Sequence, residues 1–218
     1  MNRLNGYNMM KFKESAHAHQ WLDGFTGLEI GGAAHNPFGL PTRNVDRLPH
    51  THPDFAPYAN EQMRLCGEVM PVDIVAPGDH IPLQAKCVDF VISSHVIEHF
   101  FDPIAAIKEW VRLSRRYVYV ICPHRDALPS DVHKPLTSLD EHIARHTGQL
   151  LPVDTDEHHS RWTPDSFIMM CDHFGFHVLD VLYRDDKVGN GFTILIDVQR
   201  TEANWKEQEQ GRGASNLK

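Results

Sequence analysis

Thr26-Gly-Leu-Glu-Ile-Gly-Gly-Ala-Ala-His-Asn-Pro-Phe38, followed shortly by Asn44-Val-Asp46, is the stretch that decides the fold. A short apolar run ending in an acid and paired glycines predicts a buried strand running into a tight turn. Glycine has no Cβ, so the backbone at Gly31 and Gly32 can turn sharply and approach a ligand closely. Asp46, 17 residues beyond Glu29, closes a second strand, where a doubly wound sheet holds the two hydroxyls of a ribose. Together these features predict a nucleoside-containing cofactor.

Outward from that stretch, residues 72–75, 88–93, 117–122, 177–183 and 192–198 are rich in Val, Ile, Leu or aromatics and bounded by Gly, Pro or charges, the pattern of buried strands. Residues 14–22 predict a short helix capping the sheet. Pro103 opens a second helix, with Ile104, Ile107 and Val111 at helical spacing, and Thr163-Pro164 opens a third that stops at Gly175. Alternation of strand and helix predicts an α/β, doubly wound, mostly parallel sheet. Residues 184–190 are too few for a parallel crossover, so the last two strands form a C-terminal antiparallel hairpin. Residues 1–200 read as a single domain, 123–162 as a lid or acceptor insertion, and 201–218 as a polar, disordered tail.

The chain has 218 residues, 41% hydrophobic and 23% charged, enough for one full core. Its net charge of −8 has the wrong sign for a nucleic-acid partner. Cys66, Cys87, Cys122 and Cys171 form no C-x-x-C pair and read as free thiols of a reducing compartment. No apolar run approaches the length of a membrane span and the first residues carry no signal-peptide core, which predicts a cytoplasmic protein without membrane insertion. No heptad or exposed apolar stripe specifies an oligomer.

With these residues laid out, the chain resembles the class I S-adenosylmethionine-dependent methyltransferases, in their small-molecule group, over roughly residues 24–200. Leu28-Glu-Ile-Gly-Gly32 resembles the glycine-rich first motif and Asn44-Val-Asp46 the ribose-binding acid. Asp73-Ile-Val-Ala-Pro-Gly-Asp-His-Ile-Pro-Leu83 is similar to the segment whose acid, here Asp79, meets the adenine amino group. Val88-Asp-Phe-Val-Ile-Ser-Ser-His-Val-Ile-Glu-His-Phe-Phe-Asp102, running into the Pro103 helix, is the most diagnostic block. The resemblance implies a Rossmann-like seven-stranded sheet and S-adenosyl-L-methionine as cofactor. More loosely, Cys122-Pro-His-Arg-Asp126 and Lys134-Pro-Leu-Thr-Ser-Leu-Asp-Glu-His142 resemble a bacterial subset acting beside glycosyltransferases in surface-polysaccharide assembly. Two departures stand out. The helix that usually follows the glycine turn is squeezed before Asn44 by Pro37 and Pro41, and the usual Pro-Gly-Gly turn before the fifth strand is replaced by Leu113-Ser-Arg-Arg-Tyr117.

The resemblance implies that Glu29 faces the methionine ammonium, Gly31 and Gly32 give the backbone room, Asp46 takes the ribose hydroxyls, Asp79 the adenine, and Ser94 and His95 line the cofactor pocket. Transfer to an alcohol needs a general base, and imidazole titrates in the right range. His95, after the fourth strand, and His124 with Asp126, after the fifth, stand at the sheet edge where ligands bind. The expected reaction is O-methylation of a small-molecule or sugar acceptor, with no metal ligand assigned. His133, His142 and His146 read as surface histidines, and His158 and His159 as a packing and capping pair. Three alternatives remain open. His95-Val-Ile-Glu-His99 matches the H-x-x-E-H arrangement of a zinc metallohydrolase, with both histidines on one helix face and Glu98 as base; the others are metal-assisted methyl transfer using His or Asp of the Cys122–His142 loop and a non-catalytic cofactor-binding module.

Overall fold

In a computed structural model, residues 11–152 and 158–215 are described, with side chains through 210. Residues 1–10, 153–157 of the expected insertion and 216–218 of the expected tail lie outside the described residues. Seven strands form one sheet: β1 Gly27–Ile30, β2 Thr42–Asp46, β3 Ile74–Val75, β4 Val88–Ser94, β5 Ser114–Pro123, β6 His177–Leu182 and β7 Gly191–Asp197. Their spatial order is β3-β2-β1-β4-β5-β7-β6. The pairs among β1 to β5 are parallel, and β7 lies antiparallel to both β5 and β6. This is the Rossmann-like, mostly parallel sheet with a C-terminal antiparallel hairpin. The third strand is shorter than expected because the Asp73 carboxylate, not a main-chain carbonyl, accepts the Asn44 N–H at 2.7 Å.

Alternate side chains of the inner strands feed two cores, as the period of a strand buried on both faces demands. On one face Leu28, Val91, Val118, Val120 and Ile194 pack with Ile104, Ile107 and Trp110 of a helix at Pro103–Leu113, and with Phe167 and Met170 of another at Pro164–His173. On the other, Phe90, Ile92, Tyr119, Ile121 and Leu195 pack with Ala18 and Leu22 of a helix at Ala16–Leu22 and with Phe38. In chain order the helices are α1 Ala16–Leu22, α2 Ala56–Cys66, α3 Pro103–Leu113, α4 Leu139–His146, α5 Pro164–His173 and α6 Val198–Ser215. Start signals hold α1, α3 and α5. Ser15 accepts the Ala18 N–H, Asp102 accepts those of Ile104 and Ala105, and Thr163 and Ser166 cap each other's backbone. Ser138 caps α4 in the same way. The sequence predicts nothing at α2, whose face carries only two buried residues, Gln62 and Cys66.

No helix forms between β1 and β2. Residues 32–41 are held instead by side chains. The Gln62 carbonyl accepts the Ala34 N–H at 2.7 Å, and the buried ammonium of Lys187 donates to the carbonyls of Pro37 and Lys13 while resting on the Phe38 ring. The 123–162 excursion is closed at its neck by a parallel bridge between His124 and Trp162, with the Arg125 N–H on the Trp162 carbonyl at 2.9 Å. The reading of residues 201–218 as a disordered tail gives way to α6 through Ser215. Two residues anchor this polar helix. The buried Thr201 hydroxyl accepts the His177 N–H, and the Trp205 indole donates to the Phe174 carbonyl at 2.8 Å and packs edge-on against Phe176. Cys66, Cys122 and Cys171 are buried and Cys87 is half-buried, all as free thiols. No helix of the described residues is long and apolar enough to cross a membrane. Trp205→Ala should therefore cost about 2 kcal/mol of stability by removing a packed ring and its hydrogen bond. A urea midpoint equal to the wild type's would mean that α6 does not support the sheet.

Candidate functional site

At the carboxyl ends of β1, β2 and β4 lies a cavity of about 450 Å³. Its wall is set first by Gly31. The chain leaves β1 there at φ +67°, and a Cβ would come within 2.7 Å of a Val96 methyl. The Gly31 N–H is fixed to the Val45 carbonyl at 2.8 Å, so the turn is tied to the neighbouring strand. Asp46 closes β2 on the same wall, with one carboxylate oxygen accepting the Leu48 N–H at 3.2 Å. Burial raises its pKa, and the main-chain N–H groups of Leu48 and Arg47 oppose that rise. Pro77 and Gly78, just beyond β3, also line it. The Trp110 indole of α3 donates to the Gly78 carbonyl at 2.8 Å, and a Cβ on Gly78 would meet the Phe100 ring at 2.8 Å. Ile30, Val45, Val96 and Phe100 give the cavity apolar faces.

His95 also lines this wall. It leaves β4 at φ +56°, a conformation unusual for a residue with a Cβ, held by its N–H on the Ile121 carbonyl at 2.9 Å. Burial lowers its pKa, so the ring is neutral at pH 7. The structure thus brings Gly31, Asp46 and His95 together. Gly32, Glu29, Ser94 and Asp79 are placed differently. Gly32 donates to the Asn44 side chain at 2.8 Å, and Glu29 is buried beneath it, off the cavity wall, accepting from the Thr42 hydroxyl at 3.3 Å. Burial pushes Glu29 up to about 7, against the Thr42 hydrogen bond and the Lys187 charge. Ser94 sits beside the Asn36 amide at 3.3 Å, and Asp79 is exposed, one residue beyond the wall.

His124 and Asp126 do not line this cavity. They line a separate shallow depression with Tyr183, Arg184 and Gly189. The Asp126 N–H donates to His124 Nδ1 at 3.2 Å, which makes that imidazole the cap of its own turn. The helical reading of His95 to His99 also fails. His95 is left-handed and only Ile97–His99 form a single 3-10 turn, so the two histidines are not stacked on a helix face. His142, expected at the surface, is buried. The Trp162 indole donates to its Nε2 at 2.9 Å, and burial pushes it down to about 4. His146 is half-buried against Asp102 at 2.9 Å, and His133 is exposed as expected.

Sequence reasoning missed a group beside the cavity. Glu98, buried and pushed up to about 8, lies among His95, His99 and His158, and His158 is paired with the buried Asp131. The H-x-x-E-H spacing marked three of these residues. Nothing local in the sequence connects them to Asp131 or His158.

Residues 31–122 match the family model described as a methyltransferase domain. No curated protein sequence matches the chain. Among solved structures, it is similar to an S-adenosylmethionine-dependent methyltransferase from Aquifex aeolicus at 16% identity, covering 80% of this chain and 82% of that one, with a TM-score of 0.46. For one from Methanosarcina mazei the figures are 14%, 84%, 96% and 0.49. An arsenic(III) S-adenosylmethionine methyltransferase from Chlamydomonas reinhardtii gives 16%, 81%, 63% and 0.40. Over residues 31–122 the chain is thus similar to a methyltransferase domain, and the cofactor such a domain implies is S-adenosyl-L-methionine. The cavity fits this group: about 450 Å³ is room for a nucleoside, Gly31 and Gly78 let Val96 and Phe100 close its walls, and Asp46 offers a carboxylate at its lining.

Two outcomes follow from this placement. Asp46→Ala should weaken cofactor binding by on the order of 2–4 kcal/mol, read by calorimetry; unchanged affinity would remove Asp46 from the site. For Glu29 the folded pKa is raised, so ionising it in the native state costs stability as pH rises from about 4.5 to about 7. Glu29→Gln, which keeps an acceptor for Thr42, should gain melting temperature over the wild type across that window and hold the gain above it. The limit is about 3 kcal/mol, and a difference independent of pH would show that Glu29 is not buried as described.

Proposed function

We propose that this chain moves a methyl group from S-adenosyl-L-methionine to a hydroxyl oxygen of a small-molecule or sugar acceptor. The observation that carries the reading is His95, an imidazole held neutral by burial on the same cavity wall as Asp46 and Gly31. The cofactor supplies an electrophilic methyl on a sulfonium whose positive charge disappears on transfer. Asp46 would accept hydrogen bonds from the ribose hydroxyls, a charge-assisted pair that fixes the nucleoside in register with the strand ends. Gly31 and Gly78 would let main chain lie against it, and Ile30, Val45 and Phe100 would cover its apolar faces and exclude water. Asp79, next in the chain to Gly78, would reach the adenine amino group from outside the wall.

His95 would take the proton that the acceptor hydroxyl loses. A neutral imidazole accepts a proton without first shedding one, and its fixed left-handed backbone holds the ring at one place on the wall. We assign the base to His95 rather than His124 because the Nδ1 of His124 is occupied by the Asp126 N–H. The net charge of −8 supports an acceptor other than nucleic acid. The resemblance of residues 122–142 to enzymes of polysaccharide assembly supports a sugar among the candidates.

The test is product analysis with methyl-labelled cofactor against phenols, polyols, hexoses and nucleotide sugars. A methyl ether is the expected product, and label appearing only on nitrogen, carbon or sulfur overturns O-methylation. Because burial holds the pKa of His95 below its ordinary value, kcat should hold through neutral pH and fall on the acid side, as the ring gains a proton. His95→Asn should lower kcat by on the order of 10²–10⁴ while shifting cofactor affinity only a few-fold. Loss of affinity with kcat retained would assign His95 to cofactor binding instead.

A further inference from the structure

We propose that Glu98, His99 and His158 form a binding site for a divalent transition-metal cation, opening onto the cofactor cavity. One oxygen of Glu98 lies 3.9 Å from Nε2 of His99, 3.9 Å from Nε2 of His158 and 3.9 Å from Nδ1 of His95. The ligand atoms of Glu98, His99 and His158 all lie within 4.8 Å of one another, and the two imidazoles meet edge to face at 4.8 Å between centroids. Around an ion with bonds of about 2.0–2.2 Å, tetrahedral ligands stand about 3.4 Å apart. The cluster therefore needs only a small contraction to close on one.

Three further observations point to a ligand rather than to chance crowding. Glu98 is 1% exposed, yet neither carboxyl oxygen has a hydrogen-bond partner among the described residues. A buried carboxyl left in that state costs free energy that a bound cation would offset. His158 is oriented from behind: Asp131, itself buried, lies 2.6 Å from His158 Nδ1. With the proton on that nitrogen, the Nε2 lone pair faces Glu98, the carboxylate–histidine arrangement that fixes a metal-binding tautomer. Finally, His99 lines the cavity, as does His95 beside it.

Two imidazoles and one carboxylate suit zinc and its first-row neighbours, and three protein ligands leave a position open. Because His99 lines the cavity, an acceptor there would be within reach of the ion. Resting on the O-methylation reading, the ion would take the acceptor's hydroxyl oxygen and lower its pKa, so that the proton passes more readily to His95. The site differs from the metallohydrolase arrangement, because Glu98 is a ligand rather than a base and His158 comes from far along the chain.

The test uses the full chain, dialysed against chelator and then titrated with zinc chloride by calorimetry and with cobalt chloride by visible absorption. One equivalent per chain at micromolar or tighter affinity is expected, with the intense visible bands of a low-coordinate cobalt site. Glu98→Gln and His158→Ala should each weaken zinc by tenfold or more, and Asp131→Asn by about 10- to 100-fold. Circular dichroism and cofactor binding are measured on every variant to show that it folds. Failure of the folded wild type to bind zinc stoichiometrically, or equal affinity in folded His158→Ala, overturns the site. Cofactor binding without zinc binding would defeat this site alone, whereas zinc binding without any methyl ether product would defeat the acceptor reading alone.

Discussion

The structure depends on a reversal of strand order between β1 and β4. From β1 the chain builds outward through β2 to β3, and from β4 it builds the other way through β5 to the β7–β6 pair. Connections therefore leave the two central strands toward opposite sides, and the gap above their carboxyl ends cannot be filled by either. Register makes the gap exact in height: Ile30 stands beside Ser93, so the chain exits both strands at nearly one level. It does so through two left-handed residues, Gly31 and His95. The glycine enters that region without cost, whereas the histidine gives up about 1–2 kcal/mol, which the rest of the fold must hold in place.

Much of this was readable because the determinants are local. The strand β4, the Asp102-Pro103 start of α3, the Thr163-Ser166 cap and the glycine turn are each set by residues within a few positions of one another. Asp46 was placed by its spacing from Glu29. The illegible parts depend on partners far apart in the chain. Glu98 meets His158 and Asp131 only because Glu98's own main-chain carbonyl accepts the His159 N–H at 2.8 Å and draws the later segment over the end of β4. Spacing did not show that Glu29 turns away from the cavity, because a strand residue's side is fixed by what buries it, here Thr42 and the neighbourhood of Lys187. The helix α6 was hidden by its polar composition, since one indole and one hydroxyl supply its attachment.

The missing helix after β1 has its own physical account. Pro37 and Pro41 remove donors and the turn at Gly39 is left-handed, so a regular helix is not available to residues 32–41. Their main-chain groups still need partners. Gln62, Asn44, His19 and Lys187 supply them from four different places, and the His19 imidazole reaches the Phe38 carbonyl at 2.9 Å. The loop is thus tied by side chains rather than by a main-chain ladder. A hub of similar kind organises the turn before β7, where the buried Asp185 carboxylate accepts the N–H groups of Lys187, Val188, Gly189 and Gly191.

The rung joining His124 to Trp162 has a consequence for how such a chain can diverge. Both ends of the excursion meet at a single point of the sheet's edge, so everything between them is a detour that begins and finishes in one place. Lengthening a detour of that kind adds only about 0.6 kcal/mol for each doubling, and leaves strand register untouched. Natural variation, or a protein engineer, can therefore lengthen or shorten the detour while the order and register of the sheet stay as they were.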